Sequence, residues 1–511
     1  MLNAVGRELP EAIEGYGALV PFAGAFATGA GPRRRPTAAR PREPKLRQSL
    51  EQAFRRIPIR DGMTLSFHHH LRDGDEVVNA VLATAAALGL RDLKVALSSV
   101  FAVHAPLVEH IESGVVGALD TDYLAGPVAE AVSRGVLARP VVLRTHGGRA
   151  AAIEYGRLRI DVAFIAAPAA DDHGNINGTA GPSACGSLGY AFPDAAYADH
   201  VVAVTDHLVP YPLSPVSIRE TRVDQVVEVE SLGDQAGIAS GTTRVTQDPV
   251  RLEIARTAAR MVDAVGLIAD GFSYQTGAGG TSLAVTLFVR QMMEERGVVG
   301  SFALGGITAA LVEMLEAGFF DSLLDVQGFD LAAVSSLASN PRHVEIGADL
   351  YASPFNGGCA VDRLDCVILG ATEVDADFNV NVVTGSHGRI MGGSGGHSDA
   401  AAGARLAVVV ANPPREGRAL VSSRVMTVTT PGETIDAVVS EHGVAVNPRR
   451  RDLAGTLSAA GVAVVEIGEL AATPTAAQAL DARERVVAVV EYRDGTVIDL
   501  VRQLGRGVKR P

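Results

Sequence analysis

The sequence contains no tryptophan, and aromatic residues make up only 5% of its 511 positions. Any sizeable core must therefore be aliphatic, drawn from Ala, Val, Leu and Ile. Cysteine is nearly absent: Cys185, Cys359 and Cys366 are an odd number, with no C-x-x-C pair and no zinc-like Cys/His spacing. That excludes a disulfide framework and leads us to expect a reducing compartment, the cytoplasm. Apolar stretches such as Leu406–Ala411 stop well short of the ~18 residues a membrane span needs. The opening residues, MLNAVGRELPEAIEGYG, carry acids and lack the apolar stretch of a secretory signal. Basic residues are also in deficit, 45 against 58 acidic ones, for a net charge of −13. No nucleic acid is expected as a partner, because phosphate neutralisation needs the opposite balance. A local basic pocket for a small anion remains possible.

What the chain has in plenty is apolar residues, 47%, and glycine, 55 residues. Such a composition excludes a disordered chain, and the length allows about two to four domains. Residues 1–60 read as an N-terminal arm with a Pro/Arg-rich linker, where Arg33, Arg34, Arg35, Arg40 and Arg42 stand among prolines. The run is a solvated linker or a contact for an acidic partner. From Met63 onward, apolar runs of strand length alternate with Ala-rich amphipathic segments. The strands are Val95–Ser99, Pro140–Arg144, Val162–Ala166 and Val201–Val204; Val77–Ala87 and Pro127–Ser133 are helices. Buried strands interleaved with helices predict an α/β fold with largely parallel sheets.

A repeat runs through this pattern. Asp161, Ala167, Asp171, Asn175 and Asn177 recur as Asp365, Ala371, Asp375, Asn379 and Asn381, at one offset of 204 residues. The same offset carries Leu107, Glu109, Glu112 and Gly114 onto Leu311, Glu313, Glu316 and Gly318. The period is far too long for a solenoid and marks a duplicated domain. One half is expected over 61–245 and the other over 246–511, with a small-molecule cleft where they face.

Two glycine-rich segments and a histidine cluster could carry chemistry. Val265–Asp270 reads as a strand and Ser282–Glu294 as a helix, joined by the loop FSYQTGAGGTS. Gly277, Gly279 and Gly280 either let backbone amides approach an anion or simply turn the chain. At the repeat offset Gly277–Gly280 falls opposite Asp73–Glu76. The run Gly392, Gly393, Ser394, Gly395, Gly396 has four glycines in five positions, which is costly in conformational entropy. An amide cradle for an oxyanion, carboxylate or phosphate would justify it. In Ser66–Asp75, His68 and His70 share one face of an extended chain. No further ligand spacing supports a metal, so the imidazoles with Arg72 suit anion recognition better. His146-Gly147-Gly148-Arg149 has the outline of a lipase oxyanion loop, but there is no G-x-S-x-G elbow and a serine hydrolase is disfavoured. Neither half has the phosphate fingerprint and trailing acid of a nicotinamide dehydrogenase.

Together these pieces resemble the α subunits of citrate lyase, within the CoA-transferase superfamily. The resemblance rests on phrases in order along nearly the whole chain. They include Gly6-Arg7-Glu8-Leu9-Pro10, Asp61 through His70, His146 to Arg149, Gly271-Phe272-Ser273-Tyr274-Gln275-Thr276-Gly277, Asp325-Val326-Gln327-Gly328-Phe329-Asp330 and Tyr492 to Asp499. It implies two duplicated CoA-transferase-type domains with the active-site cleft between them. It also implies acyl exchange on a thioester, in which citrate replaces acetate on an acyl carrier protein, the γ subunit. The carrier would bear a CoA-like prosthetic group of the phosphoribosyl-dephospho-CoA type, with no cofactor on this chain. A β subunit, the citryl lyase, would then cleave the citryl thioester.

Many members of that superfamily use a glutamate nucleophile, and its place here is taken by Phe302-Ala303-Leu304-Gly305-Gly306. The expectation is therefore direct attack by a citrate carboxylate on the acetyl thioester, a mixed anhydride, and attack of the thiolate on its citryl carbonyl. Gly305 and Gly306 are expected to bind the oxyanion, and His68, His69 and Arg72 the citrate carboxylates. Gly277, Gly279, Gly280 and Gly392–Gly396 are expected to bind the thioester and its prosthetic group. Ala125, within Thr121–Gly126, stands where an arginine is expected from the family. The nearest alternative is an autonomous acyl-CoA hydrolase or acetate CoA-transferase; a scaffold that only positions the carrier is another.

Overall fold

The computed structural model describes residues 1–25, 44–239, 244–413, 421–470 and 482–505. The arginine-rich stretch from Arg33 to Arg42 lies outside them. Two mostly parallel sheets organise the chain. The first has ten strands centred on Thr64–Phe67. On one side follow Leu93–Leu97, Val116–Thr121 and Val141–Leu143; on the other, Val162–Ala166, His200–Thr205, Gln225–Glu228 and Leu46–Arg47. The second has nine, centred on Ser273–Thr276. Gly300–Ile307, Phe320–Gly328 and His343–Glu345 lie on one side, and Cys366–Gly370, Leu406–Val410 and Ala437–Ser440 begin the other. In both, the chain steps outward from the centre and then returns to fill the far side. Val162–Ala166 and Leu406–Val410 are buried throughout, as parallel strands covered on both faces must be.

The residues repeated at 204 do the same structural work in both halves. Asp161 accepts the Thr64 amide at 2.8 Å, and Asp365 accepts the Ser273 amide at 3.0 Å. Asp171 Oδ1 closes a turn by accepting the His173 and Asn175 amides, and Asp375 Oδ1 accepts those of Asp377 and Asn379, all at 3.0 Å. Gly114 and Gly318 each turn the chain at φ +79°.

Three expectations meet a difference. Val265–Asp270 is not a strand: Val265 caps the helix Pro249–Ala264 and Gly266 turns at φ +74°. The central strand is instead the polar Ser273–Thr276. Matching the central strands then sets Gly277 opposite His68, not Asp73, because the halves differ in loop length there. Finally, the halves are not contiguous in sequence. The antiparallel hairpin Ala482–Glu491 and Val497–Leu504 pairs with Val141–Leu143 and completes the first sheet. Helix Leu50–Arg56, with Leu46–Arg47, belongs to the first half as well. Residues 44–60 are therefore no arm, and the far end of 246–511 crosses back. Among the described residues no helix is long and apolar enough to cross a membrane.

Candidate active site

Loops at the carboxyl ends of parallel strands form ligand sites, and here the carboxyl ends of the two sheets meet. At the end of Phe320–Gly328, Gln327 Nε2 donates to the His69 carbonyl at 2.8 Å. Alternation along the chain leaving Thr64–Phe67 sends His69 to this cleft and His68 and His70 into the first half. The His68 and His70 rings lie 5.4 Å apart. His68 Nε2 donates to the Ala166 carbonyl at 3.1 Å, and burial pulls its imidazole down to about 3. The ring is buried in the first half with Nε2 committed to that carbonyl, so His68 is not among the groups gathered around the cleft.

His69 is held by Ser98, whose Oγ accepts its amide at 3.1 Å and lies 2.5 Å from Nδ1. Its ring packs 4.8 Å from Tyr190, 6.1 Å from His146 and 6.0 Å from Phe101. Burial holds it well below the usual imidazole value, so it acts as a neutral hydrogen-bonding group. Arg72 supplies the cleft's positive charge. Its φ of +54° is rare for a residue with a side chain. The turn lays its guanidinium 4.3 Å from the Phe329 ring and 5.7 Å from that of Phe101. Stacked and weakly hydrated, a guanidinium suits a carboxylate.

Across the cleft, the pairing of Gly300–Ile307 with Phe320–Gly328 slips between Gly305 and Gly306, a β-bulge. A methyl on Gly306 would sit 2.3 Å from Phe329, and one on Gly305, at φ +103°, 3.1 Å from Gln275 Cδ. Gln275 Nε2 donates to the Tyr351 hydroxyl at 2.9 Å, leaving its buried Oε1 without a hydrogen-bond partner among the described residues. The Tyr351 hydroxyl presses on Gly396, and His146 Nε2 lies 3.3 Å from where a methyl on Gly395 would stand. His146 in turn packs 4.5 Å from Tyr190, the rings tilted by 46°. The contacts close into a ring drawn from both halves, with His69, Arg72, Gly305, Gly306, Gly395 and Gly396 on it.

The glycine loop has a packing task that its sequence did not reveal. A methyl on Gly393 would lie 2.1 Å from the Asp122 carbonyl, and one on Gly392 2.5 Å from that of Val382. The Gly395 amide donates to the Asp122 carbonyl at 3.2 Å, and the Gly395 carbonyl accepts the His146 amide at 2.9 Å. Ser394 Oγ bonds Ser398 at 2.9 Å. Within Gly392–Gly396, Gly393 and Gly395 let the halves approach, while Gly392 and Gly396 pack on Val382 and Tyr351 of their own half. Gly277 donates its amide to Ile368 at 2.8 Å, and Gly280 packs on the Arg244 carbonyl. Gly279, exposed among the described residues, caps the helix Gly280–Arg296. The Gly305 strand partner is Asp325, a buried carboxylate engaged by His343 Nε2 at 3.1 Å.

Sequence reasoning missed Asp122, His146 as a side chain, Tyr190 and Tyr351. Asp122 follows Val116–Thr121 and His146 follows the adjacent strand Val141–Leu143. Their signal was strand adjacency, since the end of one strand faces the end of its neighbour. His146 Nδ1 lies 3.0 Å from Asp122 Oδ2. Burial pushes the Asp122 carboxyl up, against the pull of this bond. The rest of the phrase is structural: Gly147 donates to Asp399 at 2.9 Å, and Arg149 clamps Asp194 with bonds of 2.9 and 2.8 Å. Ala125 donates its amide to Val100 at 3.1 Å ahead of the helix Gly126–Ser133.

Comparison with known proteins places this arrangement in a family. The model of citrate lyase, alpha subunit (CitF), matches residues 43–504. The citrate lyase alpha chain of Escherichia coli K12 is 49% identical over 471 residues, covering 91% of this chain and 92% of that one. That of Klebsiella pneumoniae is 48% identical over 467 residues, with the same coverage, 91% and 92%. A crystal structure assigned to the alpha subunit of citrate lyase from Streptococcus mutans, in complex with citrate, is 44% identical. It superposes with a TM-score of 0.93 and covers 98% of this chain and 99% of that one. A Pseudomonas malonate decarboxylase chain, 18% identical with a TM-score of 0.65 over 82% of this chain and 84% of that one, shares the fold. The chain belongs to the citrate lyase alpha-subunit family.

Proposed function

We propose that this chain exchanges acyl groups on a carrier thioester, converting citrate and an acetyl thioester into a citryl thioester and acetate. The observation that carries this reading is a cleft with a stacked guanidinium, Arg72, facing a glycine bulge, Gly305–Gly306, whose one neighbouring carboxylate, Asp325, is buried and engaged by His343, in a chain of this family. Arg72 and His69 hold citrate carboxylates, and the bulge amides meet the oxyanion that develops on the thioester carbonyl. A donor aimed at such an oxyanion supplies about 2.7–4 kcal/mol, and fixing two reactants in contact supplies up to roughly 7–11 kcal/mol. A citrate carboxylate attacks the acetyl carbonyl, the thiolate leaves, and it then attacks the citryl carbonyl of the mixed anhydride. The thioester is carried by an acyl carrier subunit with a CoA-like group, whose phosphates suit the exposed Gly279 end of the helix Gly280–Arg296. A lyase subunit consumes the citryl thioester.

The test uses the full chain with acetylated carrier protein and citrate labelled with oxygen-18 in its carboxyls. The label should appear in acetate, and this chain, separated from the carrier after turnover, should bear no hydroxylamine-labile acyl or thioester group. A trapped glutamyl adduct would overturn the direct route. Citrate-independent release of acetate from acetyl-CoA would replace the reading with an autonomous hydrolase.

A further inference from the structure

His146 and Asp122 form a hydrogen-bonded dyad at the cleft, and the exchange reaction as outlined gives it no role. Asp122 is fully buried, and its Oδ2 lies 3.0 Å from His146 Nδ1. A carboxyl group so placed fixes an imidazole in orientation. Nε2 forms no hydrogen bond among the described residues, and the side chain keeps 14% of its surface exposed. Gly395 leaves room for it: even a methyl there would stand only 3.3 Å from Nε2. On its flank lie Tyr190, at 4.5 Å, and His69, at 6.1 Å. The helix His146–Glu154 anchors the ring from its first residue, with Thr145 Oγ1 capping Gly148 at 2.8 Å. Such rigidity is what a positioned proton donor needs.

We propose that His146 is the acid–base residue for the sulfur of the carrier thioester, and that Asp122 is its positioning residue. This rests on the acyl-exchange reading above. When a citrate carboxylate attacks the acetyl carbonyl, the C–O bond forms and the C–S bond breaks with its electron pair on sulfur. The proton on His146 Nε2 passes to that sulfur, leaving a thiol and a neutral imidazole. The thiol then attacks the citryl carbonyl of the mixed anhydride and returns its proton to Nε2, and the anhydride C–O bond breaks to release acetate. No net proton is taken up or lost, as the overall exchange requires. The group matters because an alkyl thiolate is a poor leaving group in a dry cleft.

The test is a leaving-group series. Full-length wild type, His146→Ala, His146→Gln and Asp122→Asn are assayed for citrate-dependent exchange with acetyl esters of an alkyl thiol and of thiophenol. General acid–base catalysis contributes about 10²–10⁴-fold, so His146→Ala should lose that much kcat on the alkyl thioester, with KM for citrate little changed. On the thiophenol ester, whose thiolate leaves unaided, the loss should shrink to within about tenfold. Asp122→Asn should show the same pattern more weakly, and added imidazole should restore part of the His146→Ala rate. Equal losses on both esters would make the pair merely structural and overturn the proposal, as would full activity of His146→Gln. Failure of wild type to form any citryl thioester would instead overturn the reading beneath it.

Discussion

Replacing Gly306 with alanine tests whether the bulge and Arg72 act as one unit. The new methyl would lie 2.3 Å from Phe329 Cε2 and Cζ. Ordinary carbon contacts lie at about 3.5–4.0 Å, so the Phe329 ring must retreat by roughly 1 Å or more. That ring carries the Arg72 guanidinium at 4.3 Å. Weakening a stack worth about 0.5–2 kcal/mol frees the cation to drift from the carboxylates it should hold. A displacement of this size can cost up to about 10²-fold in a positioned reaction. The expected result is a KM for citrate raised about tenfold, and a stability loss of about 1–3 kcal/mol from overpacking. Alanine keeps the amide at 306, so the loss should fall on citrate before it falls on the thioester. Phe329→Leu removes the stack by another route, so the double variant should lose little more than the worse single one. Steady-state kinetics at varied citrate, with urea melts on the same preparations, decide. Additive losses, or an unchanged KM for citrate, would refute the link from Gly306 through Phe329 to Arg72.

Three further outcomes follow from buried groups. Arg149→Met leaves Asp194 buried without its bidentate partner; it should cost about 3–5 kcal/mol in urea unfolding, and Arg149→Met with Asp194→Leu should recover much of it. His397 sits half-buried between Thr430 Oγ1 at 2.7 Å and the Gly370 carbonyl at 2.8 Å, and desolvation lowers it to about 4. The unfolded chain therefore binds the extra proton first, so stability should be full above about pH 6.5 and fall as pH drops towards 4, by on the order of 3 kcal/mol. Urea midpoints between pH 7 and 4.5 should fall less steeply in His397→Gln; an identical slope would remove His397 as the cause. Ending the chain at residue 481 should strip the hairpin from Val141–Leu143, expose that edge and lower the melting temperature, as calorimetry and light scattering would show.

The duplication was legible because it was written in residues that make turns. Asp171 and Asp375, or Asn177 and Asn381, recur because each accepts the amides that close the same bend. The apolar strands were legible for the same local reason, since burial on both faces imposes an unbroken aliphatic run. Ser273–Thr276 escaped notice because its buried polar side chains answer to distant partners, Ser273 to Asp365 and Gln275 to Tyr351. The hairpin Ala482–Leu504 carried no sign that it would join the other half. Of the site, His69, Arg72 and the Gly305–Gly306 bulge stood out in the sequence. The direction of His68 and the packing role of Gly392–Gly396 did not, because each depends on what lies across an interface that only the fold creates.

Two copies of one domain facing each other would offer a ligand the same groups twice, which suits neither an unsymmetrical thioester nor a single oxyanion. The fold breaks the symmetry where it costs stability least, in the loops beyond the carboxyl ends of the central strands. After Thr64–Phe67 the first half runs through His68–Glu76 before its helix begins at Val77, long enough to turn back and present His69 and Arg72. After Ser273–Thr276 the second half needs only Gly277–Gly279 before Gly280 starts the helix. Its contribution to the cleft is a glycine bulge at Gly305–Gly306 with Gln327 and Phe329 beside it, against which the longer loop lies. The repeated Asx turns close the same bends in both halves and could not diverge without loosening them. A duplicated fold can therefore keep its scaffold twice and its cation once, and the single Phe329 contact on Arg72 is where the second copy holds what the first one brings.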